Sequence, residues 1–355
     1  MTILKIRGGD LDLVEYDFAS FSPGENINTC GFEGTYALTP SQVPVRTRAP
    51  GRIHLTVLDM NRFAPGQPGG GGIGFAIDVF AEVEARCIEN GYEINYSRPS
   101  IVRHFLSVFS KTVGYTGGFS VTAKDHNYKH VGLGSTSTIL TALSAAVNRA
   151  LGDPLTPDEL RILIGNNYIE ETEEGRVAFG FETGVGPAVS GKGGMAILGD
   201  NLTLVYRNQF GEGKNVYVVI PPSSISSAGE EEFSLLMNKA RSLDYRDREL
   251  KAYIIMMDFI PALNKGDLKK MGDLMWEMEF RGSKRAEIEH HSFELYQYMH
   301  KLRKAGLEFI GMSSVGPSIA VITDLSQDKL ISILKPLDLE IAVCTKVNNS
   351  GLIYL

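Results

Sequence analysis

Residues 130–147, His130-Val-Gly-Leu-Gly-Ser-Thr-Ser-Thr-Ile-Leu-Thr-Ala-Leu-Ser-Ala-Ala-Val147, constrain the fold more than any other stretch of the chain. A Gly132-Leu-Gly134 turn runs through Ser135, Thr136, Ser137 and Thr138 into a long alanine-rich amphipathic segment. Glycine lets backbone approach a ligand closely, and alanine-rich sequence favours helix. A helix opening this way aims its first N–H groups and positive dipole end at whatever lies before it, which suits a phosphate. The hydroxyls add hydrogen bonds or reach a bound metal. Alone, the string also reads as an ordinary Ser/Thr cap after a glycine turn, so its neighbours must decide.

A chain of 355 residues can bury one large core or two moderate ones. The net charge of −7 argues against nucleic acid as a partner. Cys30, Cys87 and Cys344 show no metal spacing and read as reduced, intracellular thiols. No window has the apolar length of a signal peptide or a membrane span, so a cytoplasmic enzyme is the expected class.

Residues 1–46 read as an N-terminal extension with strand-like pieces at Thr2–Ile6 and Leu11–Tyr16. Strands are expected at Arg52–Asp59, Ile73–Cys87, Phe119–Lys124, Val216–Pro221, Ile319–Thr323 and Glu340–Val347, with a hairpin over Gly193–Leu198 and Leu202–Tyr206. Helices are expected at Ser100–Thr112, along the alanine-rich run, after the Thr156-Pro-Asp-Glu capping box, and at Glu231–Arg241, Glu249–Lys265, Asp267–Arg281 and Ser292–Ala305. The mixed order predicts an α+β fold, with a second domain opening near Val216.

Three motifs carry a family resemblance. Arg48-Ala-Pro-Gly-Arg-Ile-His-Leu55, Gly132-Leu-Gly-Ser135 and Gly311-Met-Ser-Ser-Val-Gly-Pro-Ser318 resemble, in order, the three motifs of the GHMP small-molecule kinase superfamily. The resemblance covers roughly residues 47–355. It implies a GHMP-kinase-like two-domain fold with the active-site cleft between domains: residues 47–210 with the phosphate loop, then 211–355. Mevalonate-kinase-like members of the superfamily place a catalytic aspartate where this chain has Gly186, in Thr183-Gly-Val-Gly186. Glycine cannot orient or deprotonate a hydroxyl nucleophile.

One branch shares that gap, the β-ribofuranosylaminobenzene 5'-phosphate synthases. Arg52-Ile-His-Leu-Thr-Val-Leu-Asp59, Gly71-Gly-Ile-Gly74, Ser227-Ala-Gly-Glu230, Ser283-Lys-Arg285 and Met312-Ser-Ser-Val-Gly-Pro317 are similar to stretches of that family. The loop departs from the family at Ser135-Thr-Ser-Thr138, and residues 1–46 and Arg62–Pro68 are extra. The resemblance implies an enzyme that takes 5-phosphoribosyl diphosphate and an amino-substituted aromatic or heteroaromatic carboxylate. It forms a C-glycosidic bond and releases diphosphate and carbon dioxide, with Mg²⁺ as cofactor and a homodimer as the assembly.

Under that reading Gly132, Gly134, Ser135, Thr136 and Ser137 hold the diphosphate, and Ser137, Glu174 and Glu182 are candidate Mg²⁺ ligands, since the ion prefers hard oxygens. Glu174 also reads as part of a solvated acidic run, Glu170–Glu174. Arg52 and His54 alternate with Ile53 and Leu55 and would share one strand face, where arginine can clamp a carboxylate or phosphate. Arg52, His54 and Glu182 are therefore the catalytic candidates, with a structural histidine the other reading of His54. Asp59 either orients Arg52 or caps a turn. Lys284 and Arg285 are expected on the ribose 5-phosphate, Ser313 and Ser314 in an anion-binding turn, and Lys192 either on diphosphate or in solvent. The His290-His291 pair carries no function in this reading. An ATP-dependent small-molecule kinase using Glu182, or a non-catalytic sensor, are the competing functions.

Overall fold

The computed structural model describes residues 19–128, 132–172, 175–223 and 235–355. The expected pieces at Thr2–Ile6 and Leu11–Tyr16, and the stretch Ser227–Glu230, lie outside them.

The first half is built by strands β1 (Val45–Val57), β2 (Gly72–Ile88) and β3 (Tyr92–Asn95), helix α1 (Pro99–Val113), strand β4 (Gly118–Lys124), and helices α2 (Ser135–Ala150) and α3 (Pro157–Asn166). The hairpin β5 (Ile169–Glu171) and β6 (Val177–Phe179), helix α4 (Val185–Lys192) and strands β7 (Met195–Leu198) and β8 (Leu204–Asn208) follow. Thr156 closes its capping box with Glu159 at the start of α3, as its sequence spacing requires. The Gly193–Tyr206 hairpin is present as antiparallel β7 and β8.

The second half runs β9 (Asn215–Val219), α5 (Arg241–Ile254), α6 (Ile260–Lys265), α7 (Leu268–Met278), α8 (Gly282–His291) and α9 (Glu294–Lys304). It ends with β10 (Phe309–Met312), β11 (Ile319–Thr323), α10 (Gln327–Leu334), β12 (Ile341–Lys346) and β13 (Ile353–Tyr354).

A seven-stranded sheet has the order β13-β1-β2-β4-β3, with β7 paired to β2 and to β8; a four-stranded sheet has the order β10-β11-β9-β12. The last strand thus returns to the first sheet. Helices α1, α2 and α3 pack through Phe105, Leu140, Leu143 and Leu163 on one face of the large sheet. A second cluster joins the two sheets: the Phe75 and Phe210 rings lie 4.9 Å apart, and Phe210 and Phe309 5.5 Å apart. The architecture is α+β. No helix among the described residues is long and apolar enough to cross a membrane.

The helices expected at Glu231–Arg241 and Glu249–Lys265 are one run where described. π-helical turns at Leu236–Ala240 and Ile255–Phe259 flank α5, and α6 continues it. Apolar periodicity fails across α5 because its inward face is charged: Asp244 and Lys251 form a fully buried ion pair at 2.5 Å. Helix α4 is a further departure. It forms over a glycine-rich stretch with no apolar period, and is seated by close approach to α2.

Residues 19–44 lie along the first half. His104 in α1 is buried, and its Nδ1 accepts from Gly24 N at 3.1 Å. Burial pushes the His104 imidazole down from 6.5 to about 4. The unfolded chain therefore binds the proton first, so this contribution is complete above pH 6.5 and drains away as pH falls toward 4. Up to about 3 kcal/mol is at stake. Thermal melts between pH 7 and 4 should show a slope that His104→Asn flattens.

Candidate functional site

The three motifs meet at one carbonyl. Arg52 Nη1 donates to Gly132 O at 2.7 Å, and Ser313 Oγ donates to the same oxygen at 2.6 Å. Ser313 Oγ in turn accepts from His54 N at 3.1 Å, while Ser314 N donates to His54 O at 2.7 Å. Strand β1, the loop before α2 and the β10–β11 turn are thereby stapled together, though up to 259 residues separate the partners.

A chamber opens in front of α2, lined by Arg52, Gly132, Gly134, Ser135, Thr136 and Tyr168 among others. Gly134 adopts φ +74°, and a Cβ there would lie 2.7 Å from Arg52 Cγ, so only glycine serves. Ser137 Oγ and Thr138 Oγ1 both donate back to Gly134 O, at 3.1 and 2.7 Å. The Ser137 hydrogen is thus committed inward and its oxygen lone pairs remain for a cation. Thr136 Oγ1 accepts from Arg98 Nη1 at 2.9 Å, and Arg98 is held by buried Asp125 at 3.1 Å. The first turn of α2, whose leading N–H groups lack intrahelical acceptors, is therefore clamped from behind.

A second chamber shares Arg52, Tyr168, Ser314 and Val315 with the first. Its other walls include His54, Glu182 and Thr183 on the polar side and Val57, Met60, Phe63, Phe181 and Leu236 on the apolar side. Glu182 is 7% exposed, and its Oε1 accepts from Gly184 N at 2.7 Å. Burial pushes its carboxyl up to about 7, against the pull of the Gly184 N–H and Arg52. Burial, with the charges of Arg52 and Lys284, holds His54 well below 6.5, so the ring is a neutral imidazole. Its Nε2 lies 3.3 Å from Thr183 Oγ1.

Gly186 lies beside Ser137 and Glu182. A Cβ built there would be 2.5 Å from Ser137 Oγ and 3.7 Å from Glu182 Oε2. There is no room for a larger residue in that position while α2 and α4 keep their packing.

Arg52, His54, Glu182, Gly132, Gly134, Ser135, Thr136 and Ser314 line this double chamber, with Ser137 beside it. Other candidates fall elsewhere. Lys284 is fully buried, donating to Ser314 O at 2.6 Å and paired with Glu287 at 2.6 Å, so it props the β10–β11 turn from beneath. Arg285 pairs with Glu289 at 2.7 Å on an exposed face. Neither side chain lines the cleft. Ser313 is 0% exposed and acts as the staple described above. Lys192 pairs with Asp158 at 3.2 Å, away from both chambers. Asp59 caps a short turn, accepting from Asn61 N at 2.9 Å. His291 Nε2 donates to Val315 O at 2.7 Å, so that half of the His290-His291 pair holds the turn. His130 and Glu174 lie outside the described residues.

Tyr168 and Glu287 are two cleft residues that pattern reading misses. Tyr168 walls both chambers and is hydrogen-bonded to Thr136, with its phenol raised well above 10 by burial. Glu287 lines the second chamber from α8, a helix without an apolar period. No local signal marks either one.

The GHMP kinases N terminal domain profile matches residues 100–179. The β-ribofuranosylphenol 5'-phosphate synthase of Archaeoglobus fulgidus is 27% identical over 301 residues, 79% of this chain and 88% of that protein. Its namesake in Methanothermobacter thermautotrophicus is 26% identical over 297 residues, 78% of this chain and 87% of that protein. These names carry a phenol where the motif resemblance names an aminobenzene. Among solved structures, mevalonate diphosphate decarboxylase of Staphylococcus aureus superposes with TM-score 0.63 at 15% identity, covering 88% of this chain and 98% of that one. Homoserine kinase of Cytophaga hutchinsonii gives 0.62 at 14% identity, covering 91% and 100%. At such identities the structures establish the fold. The chain therefore has the GHMP kinase fold, carries a GHMP kinase N-terminal domain match over residues 100–179, and is similar over most of its length to the β-ribofuranosylphenol 5'-phosphate synthases.

Proposed function

We propose that the protein is a decarboxylating phosphoribosyltransferase. It joins C1 of 5-phosphoribosyl diphosphate to the carboxylate-bearing carbon of an aromatic or heteroaromatic acid carrying an electron-donating hydroxyl, amino or ring nitrogen. The C1–O bond breaks with its electron pair leaving on diphosphate. The ring carbon supplies the pair for the new C–C bond. Loss of carbon dioxide then returns the ring–carboxylate pair to the ring and restores aromaticity.

The observation that carries this reading is the filled space at Gly186. The glycine turn before α2 is present, yet the carboxylate that mevalonate-kinase-like members place at that position has no room here. The names of the two relatives support the same direction. The first chamber is suited to diphosphate, with the α2 N-terminus and Arg52 aimed at developing negative charge. Arg52 at the join and neutral His54 in the second chamber would orient the acceptor's carboxylate against the ribose, a positioning effect worth several kcal/mol.

Among the described residues no group of three or more His, Cys, Asp or Glu could hold a metal. The hard-oxygen donors present would suit a magnesium ion. Ser137 and Glu182, the two protein oxygens facing Gly186, would hold it. When bound, the ion withdraws charge from the departing diphosphate.

Incubation with phosphoribosyl diphosphate, Mg²⁺ and 4-hydroxybenzoate or 4-aminobenzoate should release diphosphate and carbon dioxide in equal amounts. EDTA should abolish both, and Glu182→Gln should raise the Mg²⁺ concentration needed for half-maximal rate about tenfold or more. Phosphorylation of an alcohol by ATP, with no diphosphate release from any aromatic acid, would refute the assignment.

A further inference from the structure

Residues 58–71 form a compact loop between β1 and β2, and its core is aromatic. After the Met60–Arg62 turn, Phe63 is 1% exposed and meets Phe181 edge to face, with ring centroids 5.8 Å apart and planes at 82°. Two rings in this contact leave no gap between them. Both line the second chamber, and neither lines the phosphate chamber.

The loop is held rigidly. Met60 N donates to the buried Asp244 carboxylate at 2.9 Å, and Asn61 Nδ2 donates to Arg241 O at 3.1 Å, which ties the loop to the second half of the chain. Gly70, at φ +69°, lies under the Phe63 ring, where a Cβ would come within 2.5 Å of Cδ1. Gly69 N donates to Glu182 O at 3.2 Å, so the loop also sets the backbone that carries Glu182. A Cβ on Gly66 would lie 3.0 Å from Phe179, and the Phe179 ring lies 4.8 Å from that of Phe21. Phe21, from the N-terminal extension, and Gly66, from Arg62–Pro68, therefore both lie against the β5–β6 hairpin, from which the chain runs on to Phe181 and Glu182.

We propose that Phe63 and Phe181 form the closed end of the acceptor chamber and limit the acceptor to a single aromatic ring, so that a fused bicyclic acid must displace the pair. This inference rests on the function proposed above for its substrate class, but selectivity in binding can be read without turnover.

Calorimetry with inorganic diphosphate present would compare 4-hydroxybenzoate with 6-hydroxy-2-naphthoate on the full chain. The wild type should bind the single-ring acid at least tenfold more tightly. Phe63→Ala should shrink that ratio about tenfold or more, and Phe181→Leu, at a half-buried position, should shrink it less. Equal ratios in wild type and both variants would overturn the proposal, as would a wild type that binds neither acid. Diphosphate release is scored separately. Selective binding without release would remove the proposed reaction and leave the wall standing. Release with unaltered selectivity in the variants would remove the wall alone.

Discussion

Arg52→Ala should lower kcat/KM for diphosphate release by about 10²–10³, the loss expected when one preorganised donor to developing charge is removed from a water-poor site. Three roles converge on this side chain. It lines both chambers, so in the proposed reaction it would face the leaving group and the acceptor together. It anchors Gly132 O at 2.7 Å and so fixes the loop before α2. It also supplies positive charge that lowers the Glu182 and His54 pKa values. Arg52→Lys keeps the charge but loses the planar fork, and should recover only part of the rate. Steady-state kinetics of the two variants, with thermal melts to confirm folding, check this. Unchanged kcat/KM in Arg52→Ala would remove the residue from the mechanism.

Gly186→Asp, which restores the residue type of kinases with this fold, should cost the protein activity without conferring phosphoryl transfer. The new Cβ would sit 2.5 Å from Ser137 Oγ and 2.7 Å from Ser137 Cβ. Ser137 is 1% exposed on the first turn of α2 and too short to swing clear, so a helix must move. Overpacking of this kind costs roughly 1–3 kcal/mol, and a carboxylate set beside buried Glu182 adds like-charge repulsion. The expected result is a lowered Tm, a fall in diphosphate release of about 10² or more, and no ADP formed from ATP with any alcohol. Differential scanning calorimetry and a coupled ADP assay read both halves. A stable variant with kinase activity would show that the packing at Gly186 is not what separates the two chemistries.

Much of the local structure is legible because its causes are local. The capping box at Thr156, the alternation that puts Arg52 and His54 on one side of β1, and the glycine turn before α2 each need only a few adjacent residues. Where charge replaces the apolar period, as on the Asp244–Lys251 face of α5, the pattern misleads, and one helical run reads as two. Glycine-rich α4 is invisible to periodicity for the opposite reason. It carries too few side chains to show a face, and its position is set by what α2 allows.

The sequence by itself determined the α+β class, the glycine turn before α2, the Arg52/His54 pair and the absence of a carboxylate at Gly186, since each follows from residue identity and short spacing. The tertiary structure decided which like-looking polar residues line the cleft and which hold the scaffold. Ser313 became a staple, Lys284 a prop beneath Ser314, and Tyr168, Glu287 and Phe63 walls of the cleft. Those assignments depend on groups brought together from 30 to 259 positions away. Desolvation then does the sorting: a buried lysine or serine must spend its hydrogen bonds on the nearest carbonyl, and only the chain's long-range packing determines which carbonyl that is.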